Sequence, residues 1–424
     1  PRSSRHKDAL HVIARQYPGA NLKQPSAYYD DTLTVVWGCQ DNFTVTKQLG
    51  KGKYGEVYES TDLRTGALCV VKIMRPVKEH RLRRELKILQ HVRGGPHIVH
   101  FHEVVRDPDT KTPCFVFDLV DAISFRELQA SVTDQDVRHY MFQLLQALDY
   151  THSKGIMHRD VKPGNVLIDH KKRELTLIDW GLADFYHQGK EYPVRVATRF
   201  YKGPELLVDI RDYDYSLDVW GVGCMLAALV FRRPVFFRGE DEFDQLLKIS
   251  RVLGSEELHK YCDKYGVDLD SRLDQLVGVR PAVPWRKFCN AENTHLCSPE
   301  AYDLLDQLLR YDHHERLTCA EAMAHPFFDQ VRQTQEAHAE SGTYADAAGP
   351  SGQPPLSSAA QQGADEDPGE ESEDGSADSP CEHPSKGAKT SRNSRGGRGP
   401  GSHAGAGAMP MEGLVMSQAA LISV

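Results

Sequence analysis

The stretch MHRDVKPGN, residues 157–165, brings an aspartate, a lysine and an asparagine into one short segment. Two short apolar stretches follow, NVLI at 165–168 and LTLI at 175–178, and they favour a small strand pair beside a loop. Asp179 comes directly after the second stretch, in LIDWG. Asp160, Lys162, Asn165 and Asp179 are therefore the first candidate set of functional side chains.

Upstream of this set, the sequence predicts a small antiparallel sheet. FTVTKQLG, GEVYEST and ALCVVKIM read as strands separated by turn residues, and HIVHFHEVV and CFVFDLV are two further strand candidates. Between these groups, KEHRLRRELKILQHV has Leu82, Leu86 and Leu89 on one helical face. Residues 43–120 are therefore predicted to form a lobe of one sheet and one helix.

Downstream, the pattern changes to helix. TDQDVRHYMFQLLQALDYTHSKG, residues 133–155, has apolar residues at helical spacing, with Thr133 as its N-cap and Gly155 as its stop. Further helical segments continue to about 330, so residues 121–329 are predicted to form a helix-rich lobe, and the fold class is α+β with two lobes. The longest apolar run, residues 219–231, is too short for a bilayer span of about 20 residues and predicts a buried helix instead.

The two ends of the chain differ in composition from the middle. Residues 1–42 lack periodicity and are predicted to be an N-terminal arm, with residues 2–16 disordered. Residues 330–424 are rich in Ala, Gly, Ser and Pro with an acidic run, so they cannot bury enough apolar surface to offset their ordering entropy. We predict a disordered low-complexity tail there.

The net charge of −9 belongs mostly to this tail. From residue 331 onward there are 6 Lys and Arg against 13 Asp and Glu, a balance of −7, so the folded part is nearly neutral. Binding partners of the folded part must therefore be predicted from local charge clusters rather than from its net charge. We predict neither direct nucleic-acid binding nor a membrane partner.

The nine cysteines are scattered and form no CxxC pair. This pattern predicts neither a disulfide framework nor a zinc site, and it favours a reducing intracellular compartment. We expect the protein in the cytoplasm and nucleus.

The stretch GKGKYGEV, residues 50–57, places three glycines between two predicted strands. No helix follows to receive a pyrophosphate, which argues against a dinucleotide-binding loop. Glycines in a hairpin can bring the backbone close over phosphates, although a plain glycine-rich turn has the same pattern. Lys72 ends the apolar stretch CVVK, where its charge can point under this loop, and Glu85 on the next helix is a possible ion-pair partner.

Phosphoryl transfer needs positive groups that hold phosphates, oxygen ligands for magnesium, and a carboxylate aimed at the attacking hydroxyl. The residues above supply this set. Residues 43–329 moreover resemble the protein kinase family in the order of their motifs, through KGPE at 202–205, DVWGVGC at 218–224 and Arg316. The resemblance implies a bilobal kinase fold.

Roles follow from this resemblance position by position. The catalytic residues would be Asp160, which accepts or orients the substrate hydroxyl, and Lys162, which steadies the γ-phosphate. Asn165 and Asp179 would bind Mg²⁺. The resemblance assigns ATP binding to Gly50, Lys51, Gly52, Lys53, Tyr54, Gly55, Glu56, Val57, Lys72, Glu85, Phe117, Asp118, Val120, Leu167 and Ile178. It also implies a structural ion pair between Glu205 and Arg316, and a bracing role for Asp218 beneath the catalytic loop.

Trp180 stands where most kinases have phenylalanine, and together with stretches such as GIMHRDVKPGNV it is similar to the casein kinase 2 catalytic (alpha) subunits over 37–329. This resemblance implies a serine/threonine kinase that uses ATP and Mg²⁺, with GTP as a possible alternative donor. It implies acidic protein substrates and an activation segment that the N-terminal arm orders without phosphorylation. It also implies a regulatory beta-subunit dimer on the outer face of the first lobe, with matching apolar positions at Val45, Tyr58, Val71, Ile73 and Val105. The residues assigned to acidic substrate positions are Lys78, Arg81, Arg83, Arg84, Arg195, Arg199 and Lys202.

Charge patterning agrees with an acidic substrate, because eight Lys and Arg face two acidic residues between Lys72 and Arg93. A basic helix can equally be a solvated face. Glu79 and His80 interrupt the lysine run usual in the family, and Gly55 replaces a common serine. Leu119 and Gly164 stand where a histidine is usual. A proline-directed kinase and a noncatalytic scaffold are the competing interpretations.

Overall fold

Five strands near the start of the chain form one antiparallel sheet. The computed structural model describes residues 13–30, 33–52, 55–76 and 78–340. The strands are β1 (Phe43–Lys51), β2 (Gly55–Asp62), β3 (Leu68–Met74), β4 (Phe101–Arg106) and β5 (Pro113–Asp118). Their order in the sheet is β1-β2-β3-β5-β4, so the predicted antiparallel sheet is confirmed.

Helix α2 (Glu79–Val92) follows the short helix α1 (Ser26–Tyr29) in chain order and shares a core with the sheet. Its leucines Leu82, Leu86 and Leu89 are buried together with Phe115 of β5. The apolar face predicted from the sequence is therefore the face that packs, and it fixes the orientation of Glu85 on the same helix.

The rest of the described chain is mainly helical. Its helices are α3 (Phe125–Ser131), α4 (Asp134–Ser153), α5 (Pro204–Leu207), α6 (Ser216–Val230), α7 (Glu242–Leu253), α8 (Glu256–Tyr265), α9 (Ser271–Val277), α10 (Pro299–Leu308), α11 (Cys319–Met323) and α12 (Asp329–Glu340). Two small antiparallel pairs accompany them, β6 (Ile156–Met157) with β9 (Asp184–Phe185) and β7 (Val166–Asp169) with β8 (Glu174–Leu177). This arrangement confirms the bilobal α+β kinase fold.

Helix α4 begins where its sequence predicts. Thr133 is the N-cap, and its hydroxyl accepts a hydrogen bond from the Asp136 amide while the Asp136 carboxylate accepts one from the Thr133 amide. This reciprocal capping satisfies two amides that the helix itself cannot bond. The predicted buried helix is also present, since α6 is buried along nearly its whole length. Among the described residues, no helix is both long and apolar enough to cross a membrane.

The ends of the chain depart in part from their predicted description. Residues 13–16 fall in the segment predicted to be disordered, yet Ala14 is buried against the helix-rich lobe. The sequence shows no periodicity there because the segment is neither helix nor strand and packs through individual side-chain contacts. Helix α12 continues to Glu340, past the predicted domain end at 329. The predicted tail from 341 onward lies outside the described residues.

A fully buried ion pair joins two distant parts of the helix-rich lobe. Arg316 donates from Nη1 and Nη2 to the two carboxylate oxygens of Glu205, at 2.8 and 2.6 Å, and neither side chain is exposed. Burial by itself raises the pKa of Glu205, but the Arg316 charge outweighs it and holds that pKa below its ordinary value. The predicted pairing of Glu205 with Arg316 is therefore confirmed.

Removing one member of this pair leaves the charge of the other buried without a partner of opposite sign. We expect Arg316→Met to lower the free energy of unfolding by about 3–5 kcal/mol, and the double variant Glu205→Met/Arg316→Met to lose clearly less. Denaturant titration followed by tryptophan fluorescence measures both. Lys260→Met is the matched control, because the contacts of Lys260 with Glu256 and Glu257 are solvent-exposed and add little to stability. Equal losses for Arg316→Met and Lys260→Met would contradict the expectation.

Candidate active site

A cleft with a volume of about 390 Å³ lies between the sheet and the helix-rich lobe. One wall comes from β1, β2 and β3, and the other from β7 and the segment after β8. Its lining is mostly apolar, with Lys72, Glu85 and Asp179 at one end. A concave, mainly apolar pocket with a few convergent charges is the usual form of a small-molecule site.

Eight of the predicted cofactor residues line this cleft. They are Val57, Lys72, Glu85, Phe117, Asp118, Val120, Leu167 and Ile178. Their arrangement follows from strand geometry and from the chain segment after β5, and their contact with ATP stays a prediction.

The glycine-rich stretch forms the hairpin between β1 and β2. Gly50 pairs with Val57 and Lys51 with Glu56, while the Gly52 amide donates to the Gly55 carbonyl at 2.8 Å. A Cβ at Gly55 would lie 2.5 Å from the Ile73 carbonyl oxygen, so any larger residue requires the β2–β3 pair to shift. The predicted residues Lys53 and Tyr54 lie outside the described residues.

Strand alternation separates Glu56 from the cleft. Successive side chains of a strand point to opposite faces, so Val57 lines the cleft while its neighbour Glu56 does not. The Glu56 carboxylate instead contacts Lys51 at 2.8 Å and the Tyr58 hydroxyl at 2.8 Å.

Some lining residues escaped the sequence analysis. Leu49, Val70 and Val99 contribute apolar surface to the cleft. Val70 lies two residues before Lys72 on β3, so the period-2 alternation of a strand would have identified it. Val99 precedes β4 in an irregular segment, and nothing in its local sequence indicates the cleft.

Lys72 connects the two lobes at the end of the cleft. Its Nζ lies 3.1 Å from Glu85 Oε1 on α2 and 2.9 Å from Asp179 Oδ1 after β8. Burial by itself lowers the pKa of Lys72, but the charges of Asp179 and Glu85 outweigh it and hold that pKa above its ordinary value. The ammonium therefore stays charged at neutral pH.

The two carboxylates respond differently to the shared lysine. Burial raises the pKa of Asp179 in isolation, yet the Lys72 charge outweighs it and the pKa lies below its ordinary value. For Glu85, burial and the nearby Asp179 charge together keep the pKa above its ordinary value despite Lys72. One cation thus serves two carboxylates, and its charge outweighs the effect of burial on the pKa of Asp179 but not on that of Glu85.

Asp160 lies at the centre of a hydrogen-bond cluster in the loop between β6 and β7. Its Oδ1 accepts from the Thr198 amide at 2.9 Å and hydroxyl at 3.0 Å. Its Oδ2 accepts from Asn165 Nδ2 and Lys162 Nζ, each at 3.0 Å. Lys162 also donates to the Thr198 hydroxyl at 2.9 Å, so the predicted catalytic pair Asp160 and Lys162 is brought together.

Asp218 holds the backbone that carries Asp160. Its carboxylate accepts from the His158 amide at 2.8 Å, the Arg159 amide at 2.7 Å and His152 Nε2 at 2.9 Å. Arg159 itself has φ 65°, a left-handed conformation unfavourable for a residue with a side chain. The hydrogen bonds of Asp218 compensate for this strain in the residue directly before Asp160.

Asn165 and Asp179 have the chemistry of a divalent-metal site. The Asn165 amide nitrogen donates to the Asp160 carbonyl and carboxylate, so its amide oxygen is the atom left for a cation. Mg²⁺ in nucleotide sites is commonly bound by one or two protein oxygens together with phosphates and waters. Within the described ranges, no cluster of three or more His, Cys, Asp or Glu side chains is suited to a metal, so the phosphates would complete this site.

The predicted substrate-binding cations fall into two groups. Lys78, Arg81 and Arg195 are exposed on the surface. The others contact groups of the chain itself. Arg83 pairs with Glu79 at 2.7 Å, Arg84 with Asp184 at 2.9 Å, Lys202 with Glu242 at 3.2 Å, and Arg199 donates to the carbonyls of Gly239 and Glu240. The sequence predicted the cations without their internal partners, which come from other segments.

The N-terminal arm bridges α2 and the segment after Asp179. The Tyr28 ring stacks on His91 of α2 with centroids 3.9 Å apart, and Lys87 of α2 donates to the Ala27 carbonyl at 2.9 Å. Asn21 donates to the carbonyls of Gly155 and Tyr186 at 2.8 and 2.9 Å. The arm therefore ties the helix that carries Glu85 to the other lobe.

Asp184, in the segment after Asp179, provides a carboxylate that pairs with basic side chains of the same chain. Arg84 of α2 and Arg159 of the loop both contact its Oδ2, at 2.9 and 3.1 Å. Lys190 lies 3.8 Å from its Oδ1. The Asp184 carboxylate thus forms ion pairs with cations from both lobes.

The family model for the protein kinase domain matches residues 43–328, about two thirds of the 424 residues. The matched range contains the whole cleft, both ends of the Lys72 ion pairs and the Asp160 cluster. The predicted kinase resemblance is confirmed at the level of this family. The chain belongs to the protein kinase family, and it is a phosphotransferase that binds ATP and uses a divalent metal ion.

Proposed function

We propose that this kinase is a constitutively active, acidophilic serine/threonine kinase of the casein kinase 2 catalytic-subunit type. It would transfer the γ-phosphate of ATP, with Mg²⁺, to Ser or Thr followed by acidic residues. The observation that carries the proposal is a pair of side-chain clusters: Lys72 with Glu85 and Asp179 at one end of the cleft, and Asp160 with Lys162 and Asn165 in the loop before β7.

The serine/threonine specificity is supported by Lys162. This lysine follows Asp160 by two residues, as in serine/threonine kinases, and its ammonium lies 3.0 Å from Asp160 Oδ2. A cation in this position can neutralise charge on the transferred phosphoryl group while Asp160 orients the attacking hydroxyl. The Thr198 hydroxyl contacts the side chains of both Asp160 and Lys162 and so helps to fix their relative positions.

The mechanism follows from what each residue can hold. Asp160 accepts the hydrogen bond of the substrate hydroxyl and takes up its proton as the phosphoryl group transfers. Lys72, fixed by Glu85, holds the phosphates that are not transferred. When bound beside Asn165 and Asp179, the metal ion supplies charge neutralisation and orients the phosphate chain. The apolar cleft walls exclude water from the base and phosphates, which strengthens each of these electrostatic contacts.

Constitutive activity is supported by contacts that already hold the site together. The arm stacks Tyr28 on His91 and anchors Asn21 to Gly155 and Tyr186, so α2 keeps Glu85 within reach of Lys72. Asp184 neutralises Arg84 and Arg159 with an internal carboxylate. These contacts require no added phosphate.

The acidic substrate preference is supported by the exposed cations Lys78, Arg81 and Arg195. A carboxylate of the chain itself also limits this preference. The ammonium of buried Lys202 contacts the Val194 carbonyl at 2.9 Å and the largely exposed carboxylate of Glu242 at 3.2 Å. An acidic substrate residue would compete with Glu242 for this cation, so we expect the acidic preference directly after the target residue to be weaker than Lys202 alone would give.

The outer face of the sheet is the surface we propose for a regulatory beta-subunit dimer. Of the apolar positions predicted to contact it, Val45 is exposed, Tyr58 and Ile73 are half-buried, and Val71 and Val105 are buried. Val45, Tyr58 and Ile73 would therefore supply most of the contact. Loss of association with a beta subunit in Val45→Asp, with kinase activity retained, would support this surface.

Use of GTP and residence in the cytoplasm and nucleus stay predictions. Leu119 lines the cleft where the family commonly has histidine, so we expect GTP to be the poorer donor. The ratio of ATP to GTP turnover on one peptide measures this directly.

Replacing Asp160 tests the catalytic assignment. We expect Asp160→Ala to lower peptide phosphorylation by about 10²-fold or more, because the group that orients the hydroxyl is lost, while nucleotide affinity is largely retained. A degenerate-peptide screen with the wild-type protein, using this variant as background control, reports the preferred residues. Unchanged turnover would refute the role of Asp160, and selection of Pro over Asp after the target serine would favour a proline-directed kinase.

Phosphatase treatment tests constitutive activity. Because the arm and Asp184 hold the site through unmodified side chains, we expect the protein to retain its rate within about twofold after complete dephosphorylation, which corresponds to under about 0.5 kcal/mol. Mass spectrometry verifies removal of phosphate. A loss of most activity, restored by incubation with ATP, would instead indicate an activating phosphosite.

Replacing Glu242 tests its competition for Lys202. We expect Glu242→Gln to raise kcat/KM for a peptide with Asp directly after the serine by about two- to fivefold relative to the Ala peptide, since one exposed ion pair is worth up to about 1 kcal/mol. Glu257→Gln is the matched control, because Glu257 is an exposed carboxylate that contacts Lys260 on α8. An unchanged Asp-to-Ala ratio in Glu242→Gln would exclude the competition.

A further inference from the structure

Two cysteines lie in one surface loop of the helix-rich lobe. Cys289 and Cys297 flank the segment that leads into α10, and both side chains are partly exposed. The other cysteines of the described ranges are buried, except Cys39, which is exposed. Cys289 and Cys297 are therefore a separate, solvent-accessible pair that the kinase site does not use.

The buried side chain of Asn293 holds the two ends of this loop together. Its Nδ2 donates to the Phe288 carbonyl at 3.0 Å, and its Oδ1 accepts from the Asn290 amide at 2.8 Å. These are the residues on either side of Cys289. The same Oδ1 lies 3.6 Å from Cys297 Sγ. One amide group thus contacts both neighbours of one cysteine and the thiol of the other.

The thiols also interact with each other and with Tyr302. Hydrogen bonds from Thr294, and then from Cys297 and Tyr302, lower the pKa of Cys289 below its ordinary value. Burial raises the pKa of Cys297 to about 11. Cys289 is therefore the thiol that more readily forms the reactive thiolate, and Cys297 stays protonated beside it.

We propose that Cys289 and Cys297 form an oxidation site at which a hydroperoxide converts the two thiols into an intramolecular disulfide. The Cys289 thiolate attacks a peroxide oxygen, the O–O bond breaks, and the leaving oxygen takes a proton to give an alcohol or water. The resulting sulfenic acid is attacked by the Cys297 sulfur, so the S–S bond forms, the S–O bond breaks, and water leaves. Two thiols are oxidised, and one hydroperoxide is reduced.

The surroundings of the loop favour a reversible bond. Phe231 stacks on Trp285 and on Tyr302, with ring centroids 6.0 and 6.4 Å apart, so the aromatic groups on either side of the loop are fixed. Both sulfurs remain at the surface, where a thiol reductant can reach them. Intracellular disulfides of this kind are typically transient and respond to oxidants.

Peptide mapping of the full-length protein tests the proposal. The folded chain is treated with hydrogen peroxide, blocked with N-ethylmaleimide and digested with trypsin, which releases residues 288–310 as one peptide containing both cysteines. We expect this peptide to lose two hydrogens and both labels, and to regain both labels after dithiothreitol. The exposed Cys39 is the internal control and should form no intramolecular bond. Full labelling of both cysteines in 288–310, under conditions that oxidise Cys39, would overturn the proposal.

Two single variants separate the roles of the thiols. In Cys297→Ser, Cys289 should stop at sulfenic acid, which dimedone traps. In Cys289→Ser, Cys297 should remain labelled by N-ethylmaleimide after peroxide treatment. Kinase activity of each variant reports that it is folded. Dimedone on Cys297 rather than Cys289 in the two variants would reverse the assigned order and refute Cys289 as the attacking thiol.

Discussion

The active site depends on the hydrogen bonds between the buried carboxylate of Asp218 and the backbone of the catalytic loop. This carboxylate lies in the first turn of α6, a helix that is apolar on all sides, and it accepts hydrogen bonds from two consecutive amides of the loop before Asp160. Burial alone raises the pKa of this carboxyl, but the hydrogen bond from His152 and the neighbouring charges hold it below its ordinary value. The core helix therefore presents a permanent anion to the catalytic loop, and Arg159 can keep its strained φ because of it.

The sequence could predict those parts of the site that depend on local pattern. Asp160, Lys162 and Asn165 share one short stretch, and Lys72 lies in a strand whose alternation points it into the cleft. The fold class followed from a change of periodicity, from 2 in the strands to 3.6 in the helices. These features are encoded within a few residues, so a single sequence contains them.

Other parts could not be predicted, because they depend on contacts between distant segments. Glu242 meets Lys202 within the helix-rich lobe, and Asp184 meets Arg84 across the two lobes, so both contacts depend on tertiary structure. Residues 13–30 have no periodicity, yet they pack on α2 and on the other lobe through stacking and side-chain hydrogen bonds. Glu56 was predicted beside ATP from its place in a motif, whereas its side chain lies on the opposite face of β2.

The arm acts as a ligand that the chain carries with it. Asp30 is only a short segment from Phe43, the first residue of the sheet. A site linked in this way meets its binding segment at an effective concentration of about millimolar, whatever the concentration of the protein. Individually weak contacts, such as the Tyr28–His91 stack, therefore act together at this local concentration. Dilution in the cell does not weaken this association, whereas a competitor for the arm's docking surface must overcome that local concentration.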